Sequence, residues 1–148
     1  MPERPSLHVR IPPDARHART VRDALATFSS LHGVTKADME ATIFAVGEAL
    51  ANAIEHGGSS TDIDVTIEID AHLISARIED HGRGFPDAPV GRAPLPEALT
   101  EHGRGIPIMQ RCMDSCDVES MPGRGTTVTL SRFRRSGIEL HQEYRIGS

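Results

Sequence analysis

The chain has 148 residues, of which 38% are hydrophobic and 25% are charged. This length and balance are typical of a single soluble domain with its own hydrophobic core. The net charge of -5 argues against a general nucleic-acid binder, because such proteins need a basic surface. No apolar run approaches the roughly 20 residues of a membrane-spanning helix, and the first residues lack the apolar segment of a secretory signal. We therefore expect a cytoplasmic protein that binds neither nucleic acid nor membrane.

The first 33 residues predict one strand and one helix. Apolar residues alternate with polar ones over residues 7–11, which is the pattern of a half-buried strand, and two prolines follow it. Asp14 can cap a helix that begins at residue 15. Apolar residues recur there at intervals of three and four, and Gly33 ends the helix.

A second helix is predicted over residues 37–56. Thr35 offers its N-cap, and Asp38 stands three residues later, as the partner in a capping box does. The helix stops at the glycine pair of residues 57 and 58.

The remainder of the chain predicts a β-hairpin, a lid, a short helix and two strands. Strict alternation over residues 63–69 and 73–79 indicates two strands joined by the turn Asp70-Ala71-His72. Residues 81–105 are rich in glycine and proline, and a loop of this length inside a domain is usually functional. A helix over residues 105–115, strands over 116–121 and 126–133, and a polar tail over 134–148 complete the order.

This order of elements favours an α+β fold with two layers. Helices and strands are segregated along the chain rather than alternating, so the helices should cover one face of a mostly antiparallel, mixed sheet. We expect one domain over residues 1–148, with a core of about 6–133 and a flexible lid.

Glu48 and Asn52 are one helical turn apart on the second predicted helix and project from the same face. A carboxylate and a carboxamide so placed could act as a proton acceptor and a Mg²⁺ ligand. The small residues Ala49, Ala51 and Ala53 around them would allow a ligand to approach closely. The plainer interpretation is an exposed acid and a tolerated asparagine.

Three glycine motifs follow along the chain. Asp80-His81-Gly82-Arg83-Gly84 ends an apolar strand, where a carboxylate can accept from an exocyclic amine and glycine lets the backbone approach a ligand. Gly103-Arg104-Gly105 precedes a helix, a place suited to phosphate. Gly123-Arg124-Gly125-Thr126-Thr127 enters the last strand. Each motif alone also reads as an ordinary turn.

The order and spacing of these four elements resemble the N box, G1 box, G2 box and final Gly-Thr element of the GHKL ATPase family. The segment 48–57, which includes His56, is similar to the N box residue by residue, and the resemblance extends over about residues 6–133. Within that superfamily, the size of the chain and the run 103–130 resemble the anti-sigma-factor serine/threonine kinases.

The resemblance implies an ATP-binding kinase that uses Mg²⁺. Glu48 would be the catalytic base and Asn52 the metal ligand. Asp80 would accept from the adenine amine, with the help of Thr126 or Thr127. Further nucleotide-binding residues implied by the family pattern are His56, Gly82, Gly84, Gly103, Arg104, Gly105 and Ile106.

The family's partners are also implied by the resemblance. They are a sigma factor, which is sequestered, and an anti-anti-sigma protein of the STAS type, which is phosphorylated; homodimers are common. One position departs from the pattern, because Glu101 stands where some members carry a lid arginine. Arg104 or Arg83 could replace that arginine. Two other hypotheses are an ATP-binding switch without phosphoryl transfer and a plain scaffold whose glycines are coincidental.

Overall fold

A computed structural model describes residues 4–56, 61–82, 91–94, 106–121 and 123–135. The strands are β1 (Ser6–Ile11), β2 (Ile63–Ile69), β3 (Leu73–Asp80), β4 (Gly91–Pro94), β5 (Ser115–Met121) and β6 (Gly125–Phe133). The helices are α1 (Ala18–Leu31), α2 (Lys36–His56) and α3 (Ile106–Cys112), and a short 3-10 helix (Ala15–His17) precedes α1. No helix of these described segments is long and apolar enough to cross a membrane.

The six strands form one sheet in the order β1-β2-β3-β6-β5-β4, and every neighbouring pair is antiparallel. The predicted α+β class is confirmed, although the sheet is antiparallel throughout its described strands rather than mixed. The strand β4 was not predicted, because its residues fall inside the segment 81–105 that reads as a lid. It pairs with β5, which would otherwise present an open edge, and a proline is tolerated at such an edge.

The helices cover one face of the sheet, and the core lies between the two layers. In β2 every second residue is buried, and β3 alternates in the same way, as the predicted hairpin requires. The largest fully buried side chains come from both layers: Ile11, Leu25, Leu50, Ile63, Ile67, Ile69, Ile74, Ile78, Met109 and Leu130. The opposite face of the sheet carries polar side chains.

Helix α2 faces the sheet partly with alanines. Ala45, Ala49 and Ala53 recur every four residues, and all three are buried. A side chain this small lets the helix axis approach the strands closely. Ala51, on the outer face of the same helix, is exposed. We call the three buried residues the alanine seam.

The predicted helix ends are largely confirmed. Asp14 accepts a hydrogen bond from the Arg16 amide at 2.9 Å, although the first turn is 3-10 rather than α-helical. Gly33 follows α1 with a φ of +69°, a left-handed conformation that favours glycine. Thr35 Oγ1 accepts from the Asp38 amide at 3.2 Å, so Thr35 caps α2.

The predicted capping box at Asp38 is wrong. Its carboxylate is buried and accepts from Arg132 Nε at 3.0 Å and from the Arg135 amide at 3.1 Å. Arg132 also donates to the Cys112 carbonyl at 2.6 Å. The long-range ion pair competes for the carboxylate, and local sequence spacing cannot reveal this.

The folded core extends past the predicted start of the tail at residue 134. Arg134 donates to the Asp70 carbonyl at 2.8 Å and to the Gly33 carbonyl at 2.9 Å, and Arg135 donates to Asp114 at 2.6 Å. The rest of the predicted tail, 136–148, lies outside the described residues.

Candidate nucleotide-binding site

The Asp80 carboxylate is the centre of the candidate site. Asp80 is the last residue of β3 and lies opposite Thr126 in the sheet, with only 5% of its surface exposed. The Gly82 amide donates to Asp80 Oδ1 at 3.0 Å, and the Thr126 amide also donates to this carboxylate. Burial raises the pKa of Asp80, while these hydrogen bonds oppose that effect. A buried acceptor held by two amides is well placed to receive an exocyclic amine.

Asn52 and Asp80 line the same cavity between α2 and the sheet. Thr126 also lines it, and the remaining described walls are small or apolar side chains, namely Ala49, Ala53, Ile78 and Val128. The space measures about 10 Å³, which is room for one water molecule. A purine base would therefore have to widen the gap between helix and sheet.

The structure separates Thr126 from Thr127, which the sequence left as alternatives. Because side chains alternate along a strand, Thr126 points toward the helices and Thr127 toward the other face. Thr126 Oγ1 lies 3.2 Å from Ser120 Oγ on β5. Thr127 lines a separate recess with Glu79, Asp80, His81, Glu119, Arg124, Gly125 and Thr126. Thr126 is therefore the threonine beside the cavity that holds Asn52.

Glu48 lies one turn before Asn52 but does not line the cavity that Asn52 shares with Asp80. It lines a groove of about 570 Å³ between α1 and α2. Phe44, which is 62% exposed, forms part of the groove wall, as do Arg22 and Glu40. The carboxylate of Glu48 thus opens toward the outer surface, where a second protein could reach it.

Gly125 is a residue of the site whose importance the sequence did not reveal. Its φ is +106°, and a Cβ atom there would lie 2.8 Å from the Cα of His81 and still closer to the Asp80 carbonyl oxygen. The main chains of β3 and β6 touch at this point only because position 125 lacks a side chain. The sequence predicted only a hairpin turn at Gly125. Its contact with Asp80, 45 residues earlier in the chain, forms only in the folded sheet.

Several predicted site residues fall wholly or partly outside the described residues. Gly84, Gly103, Arg104 and Gly105 lie outside them, as do Arg83 and Glu101. His56 ends α2 and Ile106 begins α3, but only their backbones are described. The structure therefore leaves their predicted nucleotide contacts as predictions.

The side chains around the cavity fit a nucleotide whose Mg²⁺ is held mainly by phosphate and water. Among the described residues there is no group of three or more His, Cys, Asp or Glu side chains that could hold a metal ion. A site with one amide oxygen fits Mg²⁺, because this ion keeps most of its ligands as water and substrate phosphates. A buried carboxylate acceptor, with small residues beside it, fits a purine amine.

Comparison with known families assigns the fold around this cavity. The family model described as the histidine kinase-like ATPase domain matches residues 11–132. The chain belongs to this family.

Curated relatives of this histidine kinase-like ATPase domain place it with the anti-sigma factors. The anti-sigma F factor of Thermoanaerobacter sp. (strain X514) is 33% identical over 78% of the chain and 82% of its own length. The anti-sigma F factor of Bacillus licheniformis is 35% identical over 59% of the chain, and that match spans 64% of the relative's length. The predicted resemblance to this family is confirmed.

A solved structure supports the fold of the histidine kinase-like ATPase domain. The crystal structure of the RsbU and RsbW domains of Rv1364c from Mycobacterium tuberculosis matches with a TM-score of 0.68 and 23% identity. The match covers 90% of the chain and 34% of the longer protein. At this identity the likeness concerns the fold.

Proposed function

We propose that this protein is an ATP-dependent anti-sigma factor that phosphorylates a protein antagonist on serine or threonine. The observation that carries the proposal is the single cavity lined by Asn52, Asp80 and Thr126. The names of the relatives, anti-sigma F factors, support the anti-sigma role.

Asp80 and Thr126 supply base recognition in this proposal. The Asp80 carboxylate accepts a hydrogen bond from the adenine amine, and the amides of Gly82 and Thr126 fix its orientation. Ala49 and Ala53 leave the helix side of the cavity free of bulky side chains. Binding of the base thus depends on a carboxylate that is already oriented before ATP arrives.

Asn52 and Glu48 supply the chemistry of transfer. Mg²⁺, when bound, neutralises charge on the phosphates of ATP. The Asn52 amide oxygen is the protein ligand that would hold it. The acceptor's hydroxyl oxygen forms a bond to the γ-phosphorus, the bond from that phosphorus to ADP breaks, and Glu48 takes the hydroxyl proton. The position of Glu48 on the α1–α2 groove supports this role, because a protein acceptor can approach from there.

The partners follow from the same proposal. The protein sequesters a sigma factor, and the acceptor is an anti-anti-sigma protein of the STAS type, whose phosphorylation ends its antagonism. A homodimer is the expected assembly.

Two measurements test the proposal. Calorimetry with Mg-ATP should show binding to the wild-type protein and to Glu48→Gln, and much weaker binding to Asp80→Asn. Transfer of labelled phosphate from ATP to a STAS-type protein of the same organism should fall by about 10² to 10⁴ in Glu48→Gln, the usual loss for a general base. Glu40→Gln, on the same groove, is the matched control and should transfer normally.

A binding switch without phosphoryl transfer is the second candidate. One observation favours it: an acid, Glu101, stands where some members of the family carry a lid arginine. Tight ATP binding with no transfer to any STAS-type protein would establish this alternative. Absence of Mg-ATP binding would rule out both candidates.

A further inference from the structure

His81 connects the candidate site to strand β2 on the outer face of the sheet. It lies between Asp80 and Gly82, in the turn that leaves β3, and its Nε2 lies 3.1 Å from Asp64 Oδ2 on β2. A carboxylate can only accept, so His81 Nε2 donates in this bond. The turn that orients the Asp80 side chain is therefore tied to the neighbouring strand.

Asp64 is itself held by the edge strand. Its Oδ1 lies 2.9 Å from His8 Nε2 and accepts from Arg10 Nε at 2.9 Å, both on β1. The side chain of Asp64 is 12% exposed, whereas that of His81 is 49% exposed. Arg10, foremost among these neighbours, lowers the pKa of Asp64 to about 2. The carboxylate is thus ionised near neutral pH and has three hydrogen-bond partners.

A second acid, Glu79, faces Asp64 on the outer face of the sheet, and both carboxylates have basic partners. Glu79 on β3 lies directly opposite Asp64, and two facing carboxylates repel each other. Arg77 relieves this repulsion by pairing with Glu79 at 2.6 Å. Asp64 is therefore paired with His8, Arg10 and His81, and Glu79 is paired with Arg77.

Gly125 restrains the same turn from β6. The backbone of Asp80 and His81 rests against the bare Cα of Gly125, so the turn cannot move toward that strand. On the β2 side, the bond to Asp64 prevents His81 from swinging away. With both restraints, the Gly82 amide stays within 3.0 Å of the Asp80 carboxylate.

We propose that Asp64 is a positioning residue for nucleotide binding: through His81 it fixes the turn that orients the Asp80 carboxylate toward the base. The inference rests on the proposed function, because it assumes that Asp80 receives adenine. Asp64 touches no ligand and acts only by lowering the conformational freedom that binding would otherwise have to remove. One partly exposed bond of this kind has a modest effect, so its loss should weaken ATP binding by roughly 1.5- to 5-fold.

The experiment has one readout without nucleotide and one with it. Amide hydrogen exchange at Gly82 in the free protein should accelerate in His81→Ala and in Asp64→Ala, because the bond to Asp80 opens more often. Calorimetry with Mg-ATP should show the same roughly 1.5- to 5-fold loss of affinity in both variants. The double variant should be no worse than either single one, since both remove the same bond.

Two further variants separate positioning from general stability. His81→Gln keeps an N–H donor at a similar reach and should restore both readouts. Arg10→Ala removes a different partner of Asp64 and keeps the bond to His81, so it should alter Gly82 exchange and ATP affinity less than Asp64→Ala does.

These measurements distinguish failure of the positioning role from failure of the proposed function. If wild-type protein did not bind Mg-ATP, the proposed function would fail, while Gly82 exchange would still report on the turn. Unchanged Gly82 exchange and unchanged ATP affinity in His81→Ala would overturn the positioning role. So would an equal effect of Arg10→Ala and Asp64→Ala on both readouts, because that result would assign the effect to sheet stability.

Discussion

Gly125 lies against the main chain of Asp80 so closely that any side chain at position 125 would overlap the Asp80 carbonyl oxygen. Through this contact, the first residue of β6 packs against Asp80, the central residue of the candidate site. The spacing of the two central strands at this end thus depends on the absence of a single methyl group. The consequences for binding and for stability can be tested separately.

Gly125→Ala should weaken Mg-ATP binding by more than about tenfold and lower the free energy of unfolding by roughly 1–3 kcal/mol, a usual range for an unfavourable backbone conformation. The new methyl group must displace Asp80 or His81. Calorimetry and urea unfolding measure the two effects. Gly123→Ala is the matched control, because Gly123 also has a positive φ, +78°, but no atom of the described residues beyond its chain neighbours lies within 4 Å of its Cβ position. Equal losses of affinity in both variants would argue against the contact.

The buried pair of Asp38 and Arg132 should dominate stability at the other end of the sheet. Among the described residues, Asp38→Ala leaves the buried Arg132 side chain with the Cys112 carbonyl as its remaining hydrogen-bond partner, and breaking a pair of this kind costs about 3–5 kcal/mol. Urea unfolding should show this loss. Arg16→Ala removes an exposed partner of Asp14 and should have a much smaller effect on stability. Equal losses of stability in Asp38→Ala and Arg16→Ala would contradict this prediction.

Asp64 should give the protein a stability that disappears in acid. Its pKa is about 2 in the folded chain and 3.8 ordinarily, so the folded state binds fewer protons between these values. The contribution is therefore present above about pH 4 and lost as the pH falls toward 2. Asp64→Asn should be less stable than wild type by at most about 2 kcal/mol at pH 6, and this gap should close by pH 2. A stability gap between Asp64→Asn and wild type that stayed the same from pH 6 to pH 2 would contradict this contribution.

The alanine seam should tolerate no larger residue near the site. Ala49→Leu inserts three carbon atoms between α2 and the sheet, and such overpacking typically costs about 1–3 kcal/mol. Because Ala49 also lines the cavity of Asn52 and Asp80, Mg-ATP binding should be lost as well. Ala51→Leu, on the exposed face of the same helix, should leave both properties nearly unchanged. Normal ATP affinity in Ala49→Leu would mean that the base binds elsewhere.

Periodicity in the sequence was sufficient for most of the fold. The alternation in β2 and β3 and the caps at Asp14 and Thr35 were correctly predicted, because they depend on residues close together in the chain. The strand β4 was missed, since glycine and proline dominate its segment and its pairing with β5 is a tertiary choice. Asp38 was misread for the same reason, because its true partner is 94 residues away.

The candidate site was only partly accessible from sequence. The motifs named Asn52 and Asp80, which the structure brings to one cavity, but could not choose between Thr126 and Thr127, because the choice depends on sheet register. Nor could they show that Glu48 opens to a different groove. His81 stands at an undefined position of the Asp80–Gly84 motif, and Asp64 lies in no motif. Their hydrogen bond emerges only when β2 and β3 are aligned.

The strand β6 runs from Gly125 to Phe133. Thr126, beside the candidate site, and Arg132, near the other end, are about 20 Å apart along an extended strand. Helix α2 likewise runs from Asp38, bound to Arg132, to Asn52 in the cavity. In both elements, residues at one end stabilise the fold and residues at the other end line the candidate site. Changes so far apart usually combine additively, so an engineer could raise the thermal tolerance of this protein from the arginine end while leaving its nucleotide preference intact.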